Sequence, residues 1–235
     1  MKRVLAVVLI ISVLLLSACA GGKVGVELET DYDLTTEIIE EENKARYTLN
    51  GYDGVLTLYY ERPYFTQKGE GLSEINRYFN EAAKLFFESE NVSSAVEFAN
   101  GSIEADYEAG YIYTNTSDIT FENERLISVT IAYEWYMGGV LDYGTISYVF
   151  DKTTGKILKL GDITGLTDEE LKAAILECVA EELPEGDISY IENYTANQFE
   201  FAVEEDGIYI NFDKYEASYG AAGAFHIKTP FELKY

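Results

Sequence analysis

"LISVTIAYEWYMGGVLDYGTISYVFD", Leu126–Asp151, is the stretch that decides the fold. Leu126 to Tyr133 places β-branched residues at every second position, the pattern of a strand with one covered face. The spacing predicts strands over Leu126–Trp135 and Thr145–Phe150, and the segment between them holds Gly138, Gly139 and Gly144. A glycine-rich connection of two long strands leaves Tyr136, Met137 and Leu141 open to solvent unless another element covers them.

Further strands follow on both sides. Tyr111–Thr114 and Ile119–Glu122 precede the pair, with "ENER" as a turn, and "DKTTGK" leads to a strand over Ile157–Leu160. Two amphipathic helices interrupt the strands. In "LSEINRYFNEAAKLFFESE", Leu72, Ile75, Tyr78, Phe79, Ala82, Ala83, Phe86 and Phe87 recur at helical spacing, with Ser73 as the N-cap. "VSSAVEFANG" either extends this helix or forms a second, short one. In "TDEELKAAILECVAEEL", Thr167 and Glu170 make a capping box, and Leu171, Ala174, Ile175, Cys178, Val179 and Leu183 form the buried stripe.

Val55–Tyr60 reads as a strand before the first helix; Phe199–Val203, Ile208–Phe212 and Phe225–Thr229 read as strands after the second. Helices separated by runs of hairpin strands give an α+β fold with largely antiparallel sheets and two main helices, a strand–helix–strands order occurring twice. The acidic run Glu27–Asn43 is compatible with a leading strand or with a tether.

The start of the chain reads as an export signal. Lys2 and Arg3 precede the apolar run Val4–Leu16, which falls short of the roughly 20 residues that span a bilayer but suits a signal-peptide core. Leu16-Ser17-Ala18-Cys19 looks like a bacterial lipobox, in which small residues admit the peptidase and the Cys19 thiol is alkylated; the plainer reading is an ordinary cleaved leader with a chance cysteine. The expected organisation is a signal peptide over 1–18, a lipid anchor and acidic tether over 19–46, and two modules over 47–143 and 144–235. The protein is then extracytoplasmic and held to the cell membrane through lipid on Cys19.

The full chain of 235 residues carries a net charge of −25, and loss of Lys2 and Arg3 makes the mature protein two units more negative. That field disfavours nucleic acid and speeds encounter with cationic partners. With Cys19 lipidated, Cys178 has no partner for a disulfide, and one cysteine with one histidine cannot complete a four-ligand zinc site. No metal or cofactor is expected, since EF-hand, phosphate-loop and dinucleotide fingerprints are all missing.

Nor is a catalytic set visible. The single histidine, His226, lies in "FHIKTP", where Phe225, Ile227 and Thr229 share one strand face and His226 points to the other. No G-x-S-x-G elbow occurs. A glycosidase pair needs two carboxylates about 5–9.5 Å apart, and nothing singles out one pair among 42. Aromatic clusters at Tyr59, Tyr60, Tyr64 and at Tyr133, Trp135, Tyr136, Tyr143, Tyr148 suit either packing or contact with sugar faces and protein surfaces. Trp135, Tyr136, Met137, Leu141 and Tyr143 are the candidate ligand-binding residues. Tyr215 and Tyr219 join them, because they flank the Gly220–Ala224 small-residue loop.

"SVTIAYEWYMGG" through "ISYVFDKTTGKILKLGDI", "YYERPYF" before the first helix, and the ending "GIYINFDKYEASYGAAGAFHIKTPFEL" occur in the order found in a known group. Over roughly residues 47–235 the chain resembles the extracytoplasmic region shared by RsiV-type anti-sigma factors and the N-terminal part of PdaC-type peptidoglycan deacetylases. The resemblance implies a deacetylase-associated module followed by a C-terminal domain of uncharacterised function. It also implies a non-catalytic envelope role, because catalysis in those deacetylases resides in a separate domain, and lysozyme or wall glycan as the ligand, because the anti-sigma region senses lysozyme by direct binding. Members often carry a histidine after the Gly-Gly of the loop; here Gly138-Gly139 leads into Val140-Leu141-Asp142. The alternatives are an enzyme acting on wall polysaccharide through a carboxylate pair, and a scaffold subunit of an envelope complex.

Overall fold

Among the described residues nine strands, β1 (Leu34–Ile39), β2 (Lys44–Leu49), β3 (Leu56–Pro63), β4 (Tyr111–Glu122), β5 (Leu126–Tyr136), β6 (Asp142–Asp151), β7 (Glu200–Glu204), β8 (Gly207–Phe212) and β9 (Phe225–Lys228), form two sheets. The computed structural model describes residues 28, 30–183, 188–214, 216 and 223–235. The leader and Cys19 lie outside the described residues, as do Tyr215 and Tyr219. Strands β1 to β6 make one sheet in sequence order, and β7 to β9 make the other. Every neighbouring pair is antiparallel except β3–β4, which is parallel. A parallel pair needs a long crossover, supplied by helices α1 (Glu70–Phe87) and α2 (Glu90–Glu104). Helices α3 (Leu160–Thr164) and α4 (Asp168–Glu182) lie between the two sheets in sequence. The fold is α+β and rich in antiparallel sheet, with three main helices where two were expected.

The large sheet buries both faces of its centre, and the strand period assigns residues to each. On β5, Ile127, Val129 and Ile131 join Phe150 of β6 against Leu72, Ile75 and Phe79 of α1. On the other face, Leu126 and Val149 pack with Leu171, Ile175 and Val179 of α4 and with Val203, Ile208 and Ile210 of the small sheet. A third cluster sets Tyr47, Leu58 and Tyr60 against Phe86, Phe87 and the α2 residues Val92, Ala95 and Ala99. Each buried Val, Leu, Ile or Phe among these contributes about 2 kcal/mol.

The small sheet docks through its β7 edge. Ser128, fully buried, accepts a hydrogen bond from the Val203 amide (3.0 Å), and the Thr120 hydroxyl lies 2.8 Å from the Val203 carbonyl and 2.9 Å from the Ser128 hydroxyl. One hydroxyl carries one proton. Thr120 therefore shares it between the Val203 carbonyl and the Ser128 oxygen, closing a ring that satisfies both edge groups of Val203. A bulge makes this possible: Ile119 faces Val129 and Phe121 faces Ser128, so Thr120 is the extra residue. One strand runs unbroken over Tyr111–Glu122, where two were expected, because Asn115 to Asp118 pair regularly with Tyr133 to Thr130.

Four further differences have local causes. Residues 34–46, left open as leading strand or tether, supply β1 and the start of β2, whose alternation is masked by charges on the solvent face. Helix α1 starts at Glu70 with Gly69 as N-cap, and the Ser73 hydroxyl instead donates to the Gly69 carbonyl at 2.8 Å. "VSSAVEFANG" lies in a separate helix capped by Ser89, whose hydroxyl accepts from the Val92 amide at 3.2 Å. Ile157 makes only a bridge to Phe150, because Leu160 already opens α3. The capping box of Thr167 and Glu170 forms as expected. The expected module division at 143/144 falls at the start of β6, which pairs with β5 from Asp142 to Asp151.

Candidate functional site

The tip of the β5–β6 hairpin is where the candidate residues part company. Trp135 packs at a tilt against Tyr113 (ring centroids 5.1 Å apart), which itself meets Phe86 of α1 at 4.7 Å. Met137 packs against the cluster beneath α2. Both are partly buried packing residues. Tyr136, opposite Ile112 of β4, is half-buried. Leu141 and Tyr143 are 42% and 46% exposed, and Val140, at 88%, projects furthest.

Tyr143 forms part of a groove of about 260 Å³ with Tyr133, Gly144, Ala224, Phe225 and His226. Gly144 is opposite Tyr133 across the ladder. A Cβ at Gly144 would stand 2.5 Å from the Tyr133 hydroxyl and 2.7 Å from its Cζ. The ring thus lies over the space a side chain would fill, and it extends to the outer edge of β6. Burial, then the charges of Asp213 and Asp142, push the Tyr133 hydroxyl above the ordinary phenol range. Lys214 closes the rim: its ammonium lies 4.8 Å from the Tyr143 ring centroid and 2.6 Å from an Asp142 carboxylate oxygen.

His226 is exposed on the face opposite buried Ile227 and Thr229, as the alternation predicts, and meets Tyr209 edge-on with centroids 5.4 Å apart. The sequence had set Tyr133 among the aromatic cluster but not in the site; Gly144 directly across the hairpin was the missing signal.

Thr145 joins this groove to a smaller, polar pocket of about 110 Å³ lined by Tyr194, Glu200, Asn211, Asp213 and Glu216. Glu200 accepts from the Ser147 amide (2.9 Å) and the Asn211 side-chain amide (3.1 Å), tying β7 and β8 to β6. Burial raises its carboxyl above the usual range, with those two bonds opposing. Asp213 is raised as well, by burial and then by Glu216 and Asp142. Glu216 accepts from the Tyr194 hydroxyl at 2.8 Å. Among the described residues no group of three or more His, Cys, Asp or Glu side chains is arranged to hold a metal ion, and no helix is long and apolar enough to cross a membrane. Cys178 is a half-buried free thiol, raised by burial and then by Glu181 and Glu177.

No protein-family model matches the sequence, and no curated protein is similar to it. Solved structures are similar in fold. A DUF3298-family protein of Bacteroides fragilis superposes with a TM-score of 0.52 at 19% identity, covering 84% of this chain and 88% of that one. A DUF3298-family protein of Pseudomonas aeruginosa gives 0.51 at 14% identity, covering 87% and 93%. The architecture built here from two meanders, a helical crossover and a docked small sheet is the fold seen in DUF3298 proteins.

Proposed function

We propose that this protein is a lipid-anchored, non-catalytic binding module of the bacterial cell envelope, held to the membrane through Cys19. It grips a protein or wall-glycan ligand in the groove between the β5–β6 tip and Ala224–His226. The observation that carries the reading is the groove itself: Tyr133, Tyr143, Phe225 and His226 line one opening, and the exposed Val140 and Leu141 belong to the same hairpin tip. Aromatic faces with polar edges suit a sugar ring or an extended protein side chain. The net charge of −25 favours a cationic protein such as lysozyme among protein ligands and repels nucleic acid.

Retention of lysozyme and of purified peptidoglycan by the full chain in detergent tests this. One of them is retained, and Tyr143→Ala weakens it about tenfold, the loss typical of removing one aromatic anchor. Retention of neither, or equal retention by Tyr143→Ala, defeats the reading.

Hydrolysis of wall polysaccharide is the second reading, supported by Glu200 and Asp213, two carboxyls with raised proton affinity in one pocket. It ranks lower because this pocket, at about 110 Å³, has less than half the volume of the aromatic groove, at about 260 Å³. Release of sugar from peptidoglycan that disappears in Glu200→Gln would reverse the order.

A further inference from the structure

The outer side of α2 carries a second surface that the groove does not use. Phe98, Ile103 and Tyr107 are 56%, 49% and 64% exposed. Phe98 and Tyr107, with Gly101, Ala105 and Tyr111, line an open depression of about 440 Å³, and Glu97 stands at its rim. Its floor is fixed. Tyr111 meets the Phe98 ring with centroids 6.3 Å apart, and its hydroxyl lies 3.1 Å from that of Ser102. The Tyr107 amide is bound to the Ser102 carbonyl at 2.9 Å, and Asp106, at φ 55, makes the reversal that brings Tyr107 over the helix end.

The charge around this depression has one sign. Glu97 is the charged residue of its lining; between Lys84 and Arg125 the sequence contains no lysine, arginine or histidine, and Glu104, Asp106 and Glu108 are chain neighbours of Ile103, Ala105 and Tyr107. All four acidic residues are exposed. Anionic lipid is repelled by such a rim, and so is the same face of a second copy. A basic segment is attracted, and the electron-rich faces of Phe98 and Tyr107 accept its cations as well.

We infer that this depression docks a basic, amphipathic peptide segment of a partner protein, an apolar side chain filling the space between Phe98 and Tyr107 and lysine or arginine side chains meeting the acidic rim. The surface adjoins the hairpin tip, since Tyr111 Cε1 is 3.7 Å from the place a Gly138 Cβ would occupy.

The test is fluorescence anisotropy of a labelled lysine–leucine amphipathic peptide titrated with the full chain in detergent, beside the same peptide with glutamate for lysine. The lysine peptide binds and the glutamate peptide does not, and affinity falls as salt rises. Phe98→Ala and Tyr107→Ala each weaken binding about tenfold, and Glu97→Lys weakens it further at low salt than at high salt. Both aromatic side chains are exposed, so an unchanged unfolding midpoint separates lost binding from lost folding. Equal binding of the two peptides overturns the inference. So does loss in Tyr143→Ala but not in Phe98→Ala, a result that would leave the groove reading standing.

Discussion

Replacing Ser128 by alanine probes the joint between the two sheets. Ser128 is fully buried, and its hydroxyl is the acceptor for the Val203 amide. Alanine leaves that N–H without a partner in a place water does not reach, while Thr120 keeps its bond to the Val203 carbonyl. An unsatisfied buried donor costs about 1–3 kcal/mol. The expected loss is therefore about 2 kcal/mol, or about 4–8 °C in Tm for a chain of this size. Thr120→Val opens the same ring from the other side at about 1 kcal/mol, a carbonyl being the more tolerant orphan. Because either change breaks one closed ring, the double variant loses less than the sum. Urea unfolding measures all three, and hydrogen exchange at the Val203 amide reports the site directly. A Ser128→Ala protein within about 0.5 kcal/mol of the parent, strict additivity in the double variant, or unchanged exchange at Val203 would refute the ring.

Two further outcomes follow from packing and charge. A Cβ on Gly71 would stand 2.3 Å from the Lys152 carbonyl oxygen and 2.5 Å from the Thr153 carbonyl carbon, both backbone, so Gly71→Ala destabilises by about 1–3 kcal/mol; unchanged urea unfolding would contradict this. Asp151 accepts bonds from the Thr153 amide and hydroxyl, the Thr154 amide and the Tyr235 hydroxyl. Burial opposes ionisation there, but these bonds outweigh it and hold the carboxyl well below the usual range. A depressed value gives stability that is present above the unfolded pKa of about 3.9 and lost as pH falls further. Asp151→Asn therefore loses about 2 kcal/mol near neutrality and shows a shallower decline below about pH 4; parallel stability–pH curves for the two proteins would count against it.

Much of the fold is legible where one face is buried and the other is polar. Leu126–Tyr136 and α4 declare themselves because Val129 and Ile131, or Leu171 and Ile175, repeat at the period of their element. β1 is not legible in this way, since Thr35, Thr36, Glu37 and Ile38 are all exposed on an edge strand. The bulge at Thr120 is invisible because it depends on what Thr120 and Ser128 bond across the sheets. The site divides along the same line. Exposure of Leu141 follows from its place in a glycine-rich turn and that of Tyr143 from its place at the start of β6, whereas the burial of Trp135 and Met137 depends on α2 and Tyr113, supplied by distant sequence. Tyr133 enters the groove only because glycine stands across from it.

The parallel contact of β3 with β4 has a consequence for how the chain folds. β1 to β3 and β4 to β6 each pair between neighbours in sequence, so the two halves of the large sheet form from local contacts. Leu56 pairs with Tyr111 across the whole helical crossover, the contact expected to form last in this sheet because it closes the longest loop. Until then the inner strands Leu56–Tyr60 and Tyr111–Asn115, both rich in tyrosine, have open edges. In a slowly maturing chain these are the segments most exposed to wrong pairing, so mutations that delay helix formation raise aggregation more than mutations of equal severity in either hairpin.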